Sequence, residues 1–517
     1  MRKEYLPRPS GIPGTNNPRR VYSSSSIEID LARSSDQFRC FQIPEPNLIF
    51  GRQGTCSDPK TGLALYGPYG VPSQADNPQI RVGIVGTSEG IGYALGLLQE
   101  LSGPIEQNEN VDCMLHPSFP GLNSLGPSGV RLITQRDWHG HLNEAKVCSL
   151  KELENFDARA LKIQEMFGDE VRAIGALPDP PDAILCVLPG AITSFMEIDT
   201  ASATADPASM DENLPGAPAR SSDRFFRRFR SGFKAACMGT LPTELIWHKM
   251  DSMGEGSGDR ASSAWDLSLA LTKKAGVISW RLPNTSEVSC FIGISSYEDS
   301  QGTSLRVQRS FAHVLTERGD SFIVPAATND CHAEGKIDES PNLNAEQAGK
   351  LLTRALSVFE KYTGFSPRRV TVHKATEYTE AERQGFERAL SKVPDFGLMT
   401  ISQGGIAFIR PGRQPVLRGT AIPFDEKTGL VATSGYVPFL RGSFGNELPN
   451  PLAISENWGS ITFLQAAEDL IRLTKLDLAS SGFCSELPFT LSRSAEIGDV
   501  LRALGRRDAS AGGNFYV

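Results

Sequence analysis

VSCFIGISSY, residues 288–297, is the stretch on which the reading of this 517-residue chain turns. It is a nearly continuous apolar run without charge, the pattern of a strand buried on both faces. LRVQRSFAHVL (305–315) reads as the strand beside it, and AEQAGKLLTRALSVFEKY (345–362) has the apolar period of a helix. RRVTVHK (368–374) is then a strand, AERQGFERALSKV (381–393) a helix and LQAAEDLIRLTKL (464–476) another. Strands in succession, followed by alternating helix and strand, predict an RNase H-like α/β domain over residues 286–517.

Toward the N-terminus the pattern is α/β again. IRVGIVG (80–86) and AILCVLPG (183–190) are buried-strand runs, FFRRFRSGFKAACM (225–238) is helical, TELIW (243–247) is a strand and WDLSLALTKKAG (265–276) a helix. A Rossmann-like domain is expected over 80–285, with loops at 195–222 and 251–263. Residues 44–79, dense in Gly and Pro, read as a linker-like segment of irregular structure and short strands. Residues 1–43, rich in Pro, Ser, Gly and Arg, read as a poorly ordered tail.

An apolar content of 39% and a charged content of 22% are those of an ordinary globular protein. Neither a membrane span nor a secretory leader is expected, since MRKEYLPRPSGIPG has no apolar run after its basic residues. Nine cysteines, scattered and without a CxxC pair, suggest neither a disulfide framework nor a zinc ribbon, and point to the cytosol. The net charge of −8 argues against nucleic-acid binding as a property of the whole surface, but a local basic site is compatible with it.

VGTSEGIG (85–92) follows a strand and opens a helix, and nearly reproduces a dinucleotide-binding turn. The matching dehydrogenase chemistry needs a Tyr with a Lys four residues later, which lowers the phenol pKa for proton transfer. None of the ten tyrosines has one, so no NAD is expected on this chain, and the glycines are read as serving close strand–helix packing. Arg224, Arg227, Arg228, Arg230 and Lys234 form a basic run with no acid until Glu244. Arg230 and Lys234 lie one helical turn apart, while Phe226, Phe229 and Phe233 take the other side. The run is either a solvated amphipathic face or a rigid array of cations suited to a phosphate.

In this order and spacing, EPNLIFG, DPKTGLALYGPYG, IRVGIVGTSEGI, FKAACMGTLPTELIW, ALTKKAGVISWRLP, CFIGISSY and LTKLDLASSGFCSELPFTL resemble the short prokaryotic Argonautes, over roughly residues 44–517. That resemblance implies a MID domain followed by a PIWI domain. It also implies a pocket for the 5′ phosphate of a guide strand, with Lys234 and Lys274 in the two lysine places. Arg230 stands where the family has a Tyr, and Glu244 where it has a Gln. A carboxylate beside a phosphate implies an intervening Mg²⁺, held by Glu244 and the carboxylate of Val517, in keeping with the apolar end Asn514-Phe515-Tyr516-Val517.

A PIWI nuclease holds two metal ions with carboxylates, the first after the pattern F-I-G-I and the second after the next central strand. Those places are Ser295 and Ala375 here, and the last falls among Ser492, Arg493 and Ser494. Glu298, Asp299 and Glu377 are off register. The resemblance therefore implies a sensor that binds a guide RNA and a complementary single-stranded DNA target without cutting. It would pass the signal to a separate APAZ-domain effector in defence against plasmids or phage. That effector would be a sirtuin-like NADase first, with a TIR NADase or a nuclease as the other choices. The competing readings are a guide-directed, metal-dependent nuclease with displaced ligands and a nucleotide-binding oxidoreductase.

Overall fold

The computed structural model describes residues 27–29, 39–70, 78–109, 114–153, 156–190, 221–247, 259–283, 288–299, 307–326, 342–411, 415–445, 449–478, 480–505 and 515–516. Two short strands come first, β1 (Ile27–Ile29) and β2 (Cys40–Gln42), then helix α1 (Pro59–Tyr66).

The next unit runs β3 (Gln79–Gly86), α2 (Ser88–Glu100), β4 (Arg131–Ile133), β5 (His139–His141), α3 (Phe156–Gly175), β6 (Ala183–Leu188), α4 (Ser221–Cys237), β7 (Thr243–Trp247) and α5 (Arg260–Lys274). Its sheet has the order β4-β3-β6-β7, with β5 also paired to β3, and every pairing is parallel. All residues of β6 are buried, as expected of a strand whose six residues, AILCVL, are uniformly apolar. The glycine motif is a strand–turn–helix: Thr87 caps α2 by accepting from the Gly90 amide at 3.2 Å, and a Cβ on Gly86 or Gly90 would lie 3.3 Å from Val187.

The second unit runs β8 (Ser289–Asp299), β9 (Val307–Thr316), β10 (Ser321–Pro325), α6 (Ala345–Thr363), β11 (Arg369–Lys374), α7 (Glu380–Ala389), β12 (Asp395–Gln403), β13 (Thr420–Pro423), β14 (Gly429–Val431), β15 (Leu452–Gly459), α8 (Phe463–Leu473), α9 (Phe489–Ser492) and α10 (Ser494–Leu504). Its ten-stranded sheet has the order β1-β2-β13-β14-β15-β12-β11-β8-β9-β10. The centre, β12-β11-β8, is parallel and the flanking pairs are antiparallel. Helices α6, α7 and α8 each begin at a reciprocal capping box, Asn344 with Gln347, Thr379 with Glu382 and Thr462 with Gln465. Each box satisfies amides that the first turn leaves without partners.

Two expectations about the N-terminal part are corrected. The tail reading of residues 1–43 ends too late, because β2 is paired with β13 and Ile43 is buried, its amide donating to Gly419 at 2.8 Å. The linker-like segment 44–79 is built into the core. Leu48, Phe50 and Leu63 are buried in one cluster with Trp265 and Trp280 of the first unit and Phe291, Leu473 and Phe489 of the second. DPKTGLALY also forms a helix that the density of Gly and Pro obscured. Asp58 caps it by accepting from the Thr61 amide at 2.9 Å, and Pro59 stands at the first helical position, where a missing N–H costs nothing.

Glu45 of this segment enters a closed ionic network. Arg418 donates to Glu45 at 2.7 Å and to Thr474 Oγ1 at 2.7 Å, and the Lys475 ammonium lies 3.3 Å from the other Glu45 oxygen. The side chains of both cations are fully shielded from water. Burial raises the Glu45 carboxyl pKa, but Arg418 and Lys475 outweigh it and hold the group below the usual carboxylate range. Glu45→Ala leaves two buried cations without their carboxylate and is expected to cost about 3 kcal/mol, read as a lowered urea midpoint at pH 7.

Candidate functional site

α4 and β7 bring the basic run against Glu244. Phe229 and Phe233 are buried and anchor α4, with the Phe233 ring edge-on to Phe167 at 5.4 Å. The side chains of Arg224, Phe226 and Arg227 lie outside the described residues. Arg228 points to solvent near Asp157, so the run divides into a solvated part and an inward part. Arg230 lies 3.6 Å from Glu244, and Lys234 donates to the Tyr516 carbonyl at 3.0 Å. Tyr516 is fully buried, which places the last described residues of the chain against α4.

Lys274 closes the group from the end of α5, where a helix favours positive charge. It is 3% exposed, and its pKa is pushed down to about 7, first by burial and then by Lys234, with Glu244 partly opposing. Lys234 is lowered for the same reason, burial first, with Glu496 and Glu244 opposing. The four residues singled out from the sequence therefore converge on one place.

The sequence reading missed the neighbours that complete it. Lys273 is buried, makes no hydrogen bond through its ammonium and sits 5.3 Å over the Phe489 ring. Burial, set against the opposing charge of Asp477, leaves its pKa at about 8. Arg493, at the start of α10, bonds Asp477 and Glu496, the latter at 2.8 Å. The available signals were the doublet Lys273-Lys274 and the i, i+3 pair Arg493–Glu496, both of which also suit an ordinary surface. Five cations thus gather here with three carboxylates, Glu244, Asp477 and Glu496.

Of the residues expected to hold a Mg²⁺, Glu244 faces Arg230 through one carboxylate oxygen at 3.6 Å. Val517, the other expected ligand, lies outside the described residues.

The places expected to carry nuclease carboxylates also converge. The parallel register pairs Ile294 with Lys374, so the next residues are Ser295, on β8, and Ala375, just beyond the end of β11. Ser295 Oγ donates to Ser494 Oγ at 2.8 Å, so one of the three residues considered for the last place lies beside the first. One pair earlier, Gly293 is flanked by His313 and His373. A Cβ on Gly293 would lie 2.1 Å from the Thr490 carbonyl, so only glycine lets α9 approach. Glu377 is exposed beyond β11, where its carbonyl accepts from Lys374.

The fold is that of the Argonaute proteins. Clostridium butyricum Argonaute bound to a guide DNA and a 19-mer target DNA superposes with a TM-score of 0.56 at 14% identity, covering 93% of this chain and 55% of that one. Aquifex aeolicus Argonaute gives 0.53 at 14% identity, covering 94% and 56%. This chain therefore spans little more than half the length of these neighbours. No protein-family model and no curated protein matches it. Among the described residues no helix is long and apolar enough to cross a membrane.

His313 and His373 are fully buried, and burial holds both rings down to about 3. Above pH 6.5 they are neutral in the folded and unfolded chain alike. Between about 6.5 and about 3 only the unfolded chain protonates them, so their contribution to stability is lost as the pH falls through that window. The urea midpoint is expected to drop from pH 7 to pH 4, and to drop less steeply in His373→Gln, whatever that variant's absolute stability.

Proposed function

We propose that this chain is a guide-loaded nucleic-acid sensor: it holds the 5′-phosphorylated end of a guide strand and pairs that guide with a complementary single-stranded target without cutting it. The observation that carries this reading is the cation cluster of Arg230, Lys234, Lys273, Lys274 and Arg493. Three carboxylates leave it in positive excess. Lysines depressed by burial gain most from an anion, because a phosphate restores the charge that desolvation disfavours. In this reading the lysines themselves meet the phosphate. A structural neighbour, Clostridium butyricum Argonaute, is bound to a guide and a target DNA, which supports guide-directed nucleic-acid binding. RNA as guide, single-stranded DNA as target, and an APAZ-domain effector with a sirtuin-like NADase as the activated partner complete the proposal, on the resemblance to short prokaryotic Argonautes.

Binding without cleavage is supported by what occupies the strand ends. Ser295, Ala375 and Ser494 supply hydroxyls and a methyl where two divalent ions would need carboxylates, and Arg493 precedes Ser494 in the chain. In the proposed division of labour this chain recognises and its partner acts.

Lys234→Ala and Lys274→Ala are each expected to weaken 5′-phosphorylated RNA roughly tenfold, and 5′-hydroxyl RNA of the same sequence much less. The comparison is made by fluorescence anisotropy at fixed, near-physiological salt, because low ionic strength inflates all phosphate contacts. An equal loss for both strands would remove these lysines from the phosphate site. Incubating the purified chain with guide, complementary DNA and Mn²⁺ is expected to leave the target intact on a denaturing gel. Guide-directed cutting that Glu377→Ala or Glu298→Ala abolishes would establish the displaced-ligand nuclease instead.

A further inference from the structure

The second unit also carries a short hairpin, Gly435–Val437 paired with Gly442–Phe444. Its inner residues Val437 and Leu440 are buried against Phe483. Its tip carries the opposite chemistry: Phe439 is 49% exposed, and Arg441 is exposed beside it. Arg441 has φ +50°, a left-handed conformation that glycine adopts freely and a residue with a side chain adopts at a cost. Its amide donates to the Pro438 carbonyl at 3.2 Å, and the proline pre-sets the turn, so the tip is a stiff one.

Phe439 is the outermost ring of an aromatic ladder. It meets Phe483 at 5.9 Å, and Phe483 stacks on Phe444 at 4.6 Å with the Lys475 ammonium 2.8 Å from its centroid. The platform therefore rests on the buried Glu45–Arg418–Lys475 network. The hairpin also reaches the first unit, since a Cβ on Gly442 would overlap Leu115. Asp477, in the cation cluster, is six residues from Phe483, so the two lie no more than about 20 Å apart along the chain.

We propose that Phe439 and Arg441 form a stacking ledge for the single-stranded nucleic acid that this chain binds: a base lies on the open face of Phe439 and a phosphate meets Arg441. An exposed ring on a rigid support beside a cation is the combination that binds single strands without regard to sequence, because every base has a π-face and every linkage a charge. The inference rests on the nucleic-acid reading above and adds a second contact, independent of the 5′ phosphate.

The test uses the full chain and two RNAs of one sequence, 5′-phosphorylated and 5′-hydroxyl, at fixed near-physiological salt. Phe439→Ala is expected to weaken both about tenfold and to leave their ratio unchanged, while Phe439→Trp keeps the parent affinity. Arg441→Gly relieves the backbone and is expected to raise the thermal midpoint, yet to weaken binding and flatten its dependence on salt. Phe439→Ala with parent affinity for both RNAs, at an unchanged thermal midpoint, would overturn the ledge, including where the substitution alters self-association instead. Parent chain that does not distinguish the two RNAs would sink the phosphate pocket alone, and the Phe439→Ala loss would still decide the ledge.

Discussion

Cations that water cannot reach have to be answered by carboxylates, and in this protein those carboxylates come from distant parts of the chain. Lys273 and Lys274 are buried at the end of α5, in the first unit. Glu244 comes from β7 of the same unit, whereas Asp477 and Glu496 come from the second. Taking any of these charges out of water is unfavourable unless its partner arrives too, so the ion pairs constrain how the two units meet. Glu45, Arg418 and Lys475 repeat the device where the N-terminal segment enters the core. The functional consequence is a local excess of positive charge in a chain whose net charge is −8.

Residues 489–496 touch both candidate sites. Phe489 lies under Lys273, and Arg493 and Glu496 belong to the cation cluster. The same segment sets Thr490 against His373 at 2.8 Å and Ser494 against Ser295 at 2.8 Å. Glycine at 293 is what allows this closeness, because any side chain would push α9 away from the sheet. The cation cluster and the strand ends are thus two faces of one packed element, and a shift of α9 and α10 would be felt at both.

Much of the architecture was legible in the sequence because periodicity reports burial. AILCVL and CFIGIS are strands buried on both sides, and the helical runs begin at the side chains that cap them. The helix in DPKTGLALY was misread because Gly and Pro usually mark loops, although Asp58 followed by Pro59 is a helix-start signal. Residues 40–43 were misread because a three-residue strand has no period of its own, and partners 378 and 380 positions later complete it, Thr420 for Gln42 and Ala421 for Phe41.

Composition and local pattern determined the α/β class, the buried strands and the basic run on α4. Only the tertiary structure decided which cations share a site. Lys273, Arg493, Asp477 and Glu496 are unremarkable one at a time, and their meaning depends on neighbours that folding brings from far along the chain. It also set Glu244 beside Arg230. The reason is physical: periodicity encodes which face of an element is buried, whereas the effect of a charge depends on its dielectric surroundings and on the charges beside it, and these exist only once the chain has folded.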